Sequence, residues 1–192
     1  NTTGSPNTAV GFEALDANTT GSRNTAIGVG SLGANTTADD NTALGYASLL
    51  SNTTGNSNVA VGQDALEANT TGTHNTAVGF DSLKANTTGH YNIVVGSAAG
   101  IGITTASSNV FVGYRAGENI TTGNSNTALG YYALRNVSGS ITQNVAVGLH
   151  ALYDCTANNN VAVGVNAAFE MQSGTEGIAI GNFAHSNATS GN

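Results

Sequence analysis

The residues of this sequence best suited to catalysis or metal binding are its histidines and its cysteine. The four histidines fall at four different positions of a repeated unit, and Cys155 is the only cysteine. No serine, cysteine or carboxylate recurs beside them in a pattern that would pair a nucleophile with a base. We therefore predict that the chain is not an enzyme and that it uses no metal or other cofactor. The histidines are His74, His90, His150 and His185.

A glycine-rich stretch, Gly28–Gly33, formally matches the dinucleotide-binding pattern Gly-x-Gly-x-x-Gly. That pattern cradles a pyrophosphate only where it leads from a strand into a helix. Here Gly28 belongs to a glycine column that recurs along the whole chain, and no helical period surrounds it. A nucleotide site is therefore not predicted.

The dominant feature is a repeat, which typifies solenoid proteins. The pentapeptide Asn-Thr-Ala-Val-Gly recurs in variant form every 17 residues, and an insertion near Ser138–Gln143 is offset by a deletion one unit later. We number each unit from position 1, its first residue. One array over 1–192, part of a longer fibre, is predicted. The eleven units begin at Asn7, Asn24, Asn41, Asn58, Asn75, Asn92, Asn109, Asn126, Asn144, Asn160 and Gly177.

Residues at the same position of successive units form a column, and the composition of each column predicts its structural role. Position 4 is always aliphatic, which predicts a core column, and position 5 is always glycine, which predicts a tight corner. Position 3 is alanine except at Val94 and Phe111, position 8 is alanine or serine, and position 9 is mostly leucine, a second apolar column. In the first five units the residues of positions 4 and 5 are Val10, Gly11, Ile27, Gly28, Leu44, Gly45, Val61, Gly62, Val78 and Gly79.

These columns predict an all-β fold. Each unit reads as a five-residue strand, a glycine corner, a shorter second strand and a polar Asn-Thr-Thr-Gly return loop. Stacking the units gives a parallel β-solenoid, or β-roll, of eleven 17-residue coils. At about 4.8 Å per coil it would be a rod roughly 50 Å long. Because such a thin coil buries little apolar surface, we expect neighbouring chains to cover an additional face of it.

The asparagine and threonine columns have a structural and a functional interpretation. Stacked asparagines at position 1, such as Asn24, Asn41, Asn58 and Asn75, are expected to form a hydrogen-bond ladder along the axis. Paired threonines in the return loops could form a regular exposed array that orders water or contacts sugars. The loops also contain sequons for N-glycosylation.

Neither nucleic acid nor a membrane is an expected partner of this segment. The net charge is −7 and only four residues are lysine or arginine, which argues against binding to nucleic acid. No apolar stretch approaches the roughly 20 residues of a membrane span, so this segment is not expected to insert into a membrane.

The string Asn-x-Ala-Val-Gly-x-x-Ala/Ser, seen at 24–31 and 58–65, resembles the head repeat of YadA-like trimeric autotransporter adhesins. The string also resembles repeats of phage tail-fibre proteins. Over residues 7–184 the resemblance implies a left-handed β-roll, a homotrimer, attachment to a host surface, and a location outside the cell, at a cell surface or on a virion. The adhesin repeat is usually shorter, and the extra length here lies in the Asn-Thr-Thr-Gly loop.

Variable positions 6 and 7 could recognise a partner. They carry Tyr114, Arg115, Tyr131 and Tyr132, which would either contact a host glycan or protein or seal the contact between copies. The first hypothesis for function is a non-enzymatic structural and adhesive segment of an extracellular trimeric fibre. The second is a monomeric solenoid that binds a ligand, a glycan or ice through its stacked Thr and Asn loops.

Overall fold

The computed structural model describes residues 3–137, 139–171 and 176–186. It confirms an all-β parallel solenoid in which successive strands are neighbours in one sheet of eleven. The strands are β1 Thr8–Val10, β2 Thr25–Ile27, β3 Thr42–Leu44, β4 Val59–Val61, β5 Thr76–Val78, β6 Ile93–Val95, β7 Val110–Val112, β8 Thr127–Leu129, β9 Val145–Val147, β10 Val161–Val163 and β11 Ile178–Ile180.

Register is kept along the whole sheet because each column stacks on itself. Ala43 pairs with Ala60 in the ordinary spacing. Across the insertion Thr127 still pairs with Val145, and across the deletion Val145 pairs with Val161. The length changes are therefore absorbed in the loops, and the strand columns stay aligned.

The predicted five-residue strand and second strand are wrong. Each strand covers only positions 2–4, and no second sheet occurs in the described ranges. Positions 5–12 instead form three consecutive turns, shown in coil 4 by backbone N–H groups of Ala65, Glu67 and Asn69 that donate to carbonyls three residues earlier. Positions 7 and 9 adopt left-handed φ values, for example +56° at Asp64 and +53° at Leu66, which ends the extended conformation.

The core column predicted at position 4 is also wrong. Neighbouring side chains of a strand point to opposite sides, and the interior is occupied by position 3, where Ala60 is fully buried. Position 4 therefore points outward, and Val10 and Leu44 are 58% and 44% exposed. The core consists of positions 3, 8, 9 and 12, and includes the predicted leucine column at position 9, represented by Leu66.

Glycine is required at position 5 for two reasons. At Gly62 φ is +131°, a conformation that L side chains rarely adopt. A Cβ there would lie 2.5 Å from the carbonyl oxygen of Gly79 in the next coil. The predicted glycine corner is therefore a place where two backbones meet closely.

The predicted asparagine ladder at position 1 is confirmed. In one rung, Asn75 donates its backbone N–H and its Nδ2 to Oδ1 of Asn58, at 3.0 and 3.2 Å. The same Nδ2 donates to the carbonyl of Gly89 at 2.8 Å. These asparagines are buried, so each rung satisfies polar groups that water cannot reach.

A second buried ladder was missed because its asparagines read as loop residues. At position 12, Asn69 donates to Oδ1 of Asn52 at 2.8 Å, and the column is buried from Asn18 to Asn86. The ladder ends where Ile103 takes position 12, and Oδ1 of Asn86 has no hydrogen-bond partner. From there the column is apolar: Ile103, Ile120, Val137, Cys155 and Met171.

Candidate binding surfaces

We call the outward side chains of positions 2 and 4, together with position 6 beyond the glycine corner, the sheet face. None of its residues is charged, and all fifteen charged residues of the chain (four basic, eleven acidic) occupy positions 7, 10, 11, 16 and 17. Its exposed large apolar residues are Val10, Phe12, Ile27, Val29, Leu44, Tyr46, Phe80, Ile93, Val112, Tyr114, Leu129, Tyr131, Leu149, Val165, Ile178 and Ile180.

The exposed apolar residues of the sheet face are contiguous along the sheet and are not scattered singly over the surface. Because the columns are in register, the aliphatic side chains form a straight row along the full sheet, roughly 50 Å at about 4.8 Å per strand. Contiguous exposed apolar patches of this size on soluble proteins mark interaction surfaces.

The side chains of positions 7 and 10 form a second surface, which we call the lateral face. In coils 4 and 5 it carries an ion-pair cluster in which Lys84 Nζ lies 3.2, 3.3 and 2.9 Å from carboxylate oxygens of Asp64, Glu67 and Asp81. Hydrogen bonds to these carboxylates, with that to Asp81 the strongest, raise the pKa of Lys84 above its usual range. The lysine is therefore engaged within its own chain and does not offer a free positive charge.

The four residues predicted for recognition do come together. The rings of Tyr114 and Tyr131 stack at 5.3 Å between centroids, and Tyr131 meets the ring of Tyr132 edge-on at 4.2 Å. Arg115 lies over the ring of Tyr114, and its Nη1 forms a 2.9 Å ion pair with Glu118. The quartet thus spans both surfaces, with position 6 on the sheet face and position 7 on the lateral face.

Sequence reasoning missed the part of this cluster contributed by position 10. Arg135 forms an ion pair with Glu118, stacks 4.3 Å from the centroid of Tyr132, and donates to the hydroxyl of Tyr153 at 2.6 Å. The hydrogen bonds to Glu118, the strongest cause, and to Tyr153 raise the pKa of Arg135. The rings of Tyr153 and Phe169 then stack at 4.9 Å and 2°. The sequence shows aromatic residues at position 10 in Tyr153 and Phe169, but their contact with position 7 depends on the fold of the turn.

The threonine pairs are divided between two roles. The first threonine of each pair donates its hydroxyl to the next coil, as from Thr53 Oγ1 to the carbonyl of Thr70 at 3.0 Å. The second, such as Thr54, is exposed. The exposed threonines therefore form a single column, since the other column of hydroxyls already donates within the fold.

The N-glycosylation sequons differ in whether their asparagine is buried or exposed. Five of them start at the position 12 asparagines, whose amides lie inside the Asn ladder and cannot be modified in the folded chain. Asn119 and Asn136 are exposed. The sequons at Asn1 and Asn187 lie outside the described residues.

The four histidines and the cysteine all lie within the described residues. Within residues 3–137, 139–171 and 176–186, no three His, Cys, Asp or Glu side chains are grouped to hold a metal ion. Burial in the core raises the pKa of the Cys155 thiol, which suits a packing role. The described part of the chain also contains no helix of the length and apolarity that crossing a membrane requires.

Comparisons with protein families, with curated proteins and with solved structures found no match to this chain.

Proposed function

We propose that this chain is a non-enzymatic structural and adhesive segment of an extracellular fibre in which three copies associate through their sheet faces. The observation that carries the proposal is the uncharged aliphatic row of the sheet face, which runs along all eleven strands and is exposed or partly exposed in each. Burying it against other copies would remove a large apolar area from water, and each Å² contributes about 25 cal/mol.

The shape of the apolar surface favours three copies over two. In a two-fold dimer each copy uses one self-complementary patch, whereas in a closed ring of three each copy contacts two neighbours. The sheet face continues past the glycine corner from position 4 to position 6, and eight of the eleven coils carry an apolar side chain at both positions. Leu129 and Tyr131 of coil 8 illustrate the pair.

A role in attachment is supported by the resemblance to adhesin head repeats and by the distribution of variable residues. The strand register is kept along the whole sheet, while the lateral face changes from an ion-pair cluster around Lys84 to an aromatic cluster around Tyr132. A regular scaffold whose lateral face varies from coil to coil suits presentation of a recognition surface.

The monomeric alternative is less well supported. An ice-binding or sugar-binding Thr array needs free hydroxyls, and the first column, exemplified by Thr53, donates to the next coil. The large sheet face would also remain in contact with water in a monomer.

Light scattering during size-exclusion chromatography tests the assembly. We expect a mass near that of three 19.0 kDa chains, about 57 kDa. Leu44→Lys/Leu129→Lys, which charges the sheet face, should yield folded monomers near 19.0 kDa. The matched control Thr54→Lys/Thr122→Lys adds the same charge on the exposed loop side and should keep the parent mass. A parent protein that runs as a monomer contradicts the proposal.

The tyrosine cluster can be separated into its two roles. Tyr114→Ala/Tyr131→Ala removes rings from the sheet face, and Tyr132→Ala removes one from the lateral face. We expect the first variant to weaken assembly and the second to leave the mass unchanged. The opposite pattern would assign position 6 to recognition and position 7 to assembly.

A further inference from the structure

The aromatic series on the lateral face is interrupted in its last coils. Position 10 carries Arg135, Tyr153 and Phe169 in successive coils and then Ser186, and position 7 carries Tyr132 and His150 and then Asn166. Where the two small polar residues replace rings, a recess of about 440 Å³ opens. Its lining residues are His150, Asn166, Phe169, Phe183 and Ser186.

The recess presents an open aromatic ring face. Phe169 stacks on Tyr153 with nearly parallel planes, which covers one face of its ring. On the other side, position 10 of the next coil is Ser186, so among the described residues no ring stacks on the second face of Phe169, which lines the recess. Phe183 is 59% exposed and forms a further aromatic wall.

The polar side chains that line the recess are an imidazole, an amide and a hydroxyl, from His150, Asn166 and Ser186. His150 Nδ1 lies 3.3 Å from Asn166 Oδ1. The amide and the hydroxyl can each both donate and accept hydrogen bonds. The lining contains no carboxylate, lysine or arginine.

We propose that this recess binds one neutral pyranose unit of a glycan, stacked on the open face of Phe169. A pyranose combines an apolar C–H face with a rim of hydroxyls that both donate and accept, which matches a ring face bordered by an amide, an imidazole and a hydroxyl. A phosphate or sialic acid would need a cationic partner, and a quaternary ammonium ion would gain from a carboxylate, both of which the lining lacks. An extended peptide is disfavoured because backbone groups around the coil already bond to neighbouring coils.

The inference rests on the proposed adhesive function for its biological purpose, while the site itself lies within one chain. The recess belongs to the lateral face, so association through the sheet face leaves it accessible. Three copies would carry three identical sites, and weak single-sugar binding would then be strengthened by multivalency.

Saturation-transfer difference NMR of the intact chain tests the site. The probes are the neutral methyl glycosides of glucose, galactose and mannose, with tetramethylammonium as the charged competitor and a short peptide as the control. We expect transfer to the C–H protons of at least one glycoside. Phe169→Ala removes the platform and Ser186→Phe fills the recess, and each should weaken binding at least about tenfold. Ile101→Ala, at position 10 of coil 6, is the matched control and should bind like the parent.

Circular dichroism and scattering mass on the same samples separate the possible failures. No transfer from any glycoside, or transfer that survives both Phe169→Ala and Ser186→Phe in folded protein, overturns the glycan site. Preferential binding of tetramethylammonium or of the peptide also overturns it. Glycoside binding by a protein whose scattering mass is that of a monomer supports the glycan site and contradicts the proposed fibre.

Discussion

The double variant Phe111→Ala/Gly117→Leu tests whether the solenoid core packs by complementary volumes. Position 3 is usually alanine and position 9 usually leucine, but coil 7 has phenylalanine and glycine there. Phe111 is fully buried, and a Cβ added to Gly117 would lie only 2.4 Å from its ring. The large ring therefore occupies the volume that leucine fills in the neighbouring coil 8, where Ala128 and Leu134 are both buried.

The magnitudes follow from this geometry. Phe111→Ala should cost about 3 to 5 kcal/mol, because it removes a buried ring and leaves a cavity. Gly117→Leu should cost about 1 to 3 kcal/mol through overpacking against that ring. The left-handed backbone itself accepts leucine, since Leu134 has φ +53° and Gly117 has +64°. The double variant restores the common arrangement and should be more stable than the sum of the single changes by at least about 2 kcal/mol.

Urea unfolding followed by circular dichroism measures all three variants against the parent. Protein concentration is held constant, because association of copies would make the midpoint depend on it. A double variant whose loss of stability equals the sum of the two single losses would falsify the volume-exchange reasoning.

Three further outcomes follow from the interior. Gly62→Ala should destabilise the protein by at least about 2 kcal/mol in thermal unfolding, because of its φ and the clash with the next coil. Gly33→Ala, at a position that bears side chains in other coils, should be nearly neutral. Equal losses in the two variants would refute the close-approach argument. Asn52→Ile interrupts the ladder at position 12, so it should lower the free energy of unfolding by about 1 to 3 kcal/mol more than Asn86→Ile at the ladder's end. Urea midpoints in the reverse order would count against this role of the ladder. Because burial raises the pKa of Cys155, less thiolate exists at any given pH, so a disulfide reagent at mildly alkaline pH should react only as fast as the chain unfolds; rapid labelling of native protein would contradict this.

The repeat period was enough to predict the fold class, because stacking identical columns leaves few alternatives to a parallel solenoid. The core was assigned to position 4, on the wrong side of the strand. Position 4 was chosen because aliphatic side chains usually lie inside, and the repeat pattern alone does not distinguish an aliphatic row in the core from one on the surface. Ala60 and Val61 show the outcome, with the small residue inside and the larger one outside.

The binding surfaces were only partly predictable. Tyr114, Tyr131 and Tyr132 could be found because they stand out in variable columns. The contribution of Tyr153 and Phe169 depends on how the turns at positions 7 and 10 face each other, which requires the left-handed backbone at position 7 to be known. The buried Asn ladder at position 12 was missed for a related reason, since an Asn-Thr-Thr-Gly sequence has the composition of an exposed turn.

Contact between equivalent sheet faces is the central claim, and isotope-filtered NOE spectroscopy on a mixture of labelled and unlabelled copies tests it most directly. Copies that associate side by side in register should give methyl cross-peaks between Val61 of one copy and Val61 of another, and likewise for Val78. Filtered spectra without any cross-peak between position 4 methyl groups, in a sample of trimer mass, would contradict association through the sheet face.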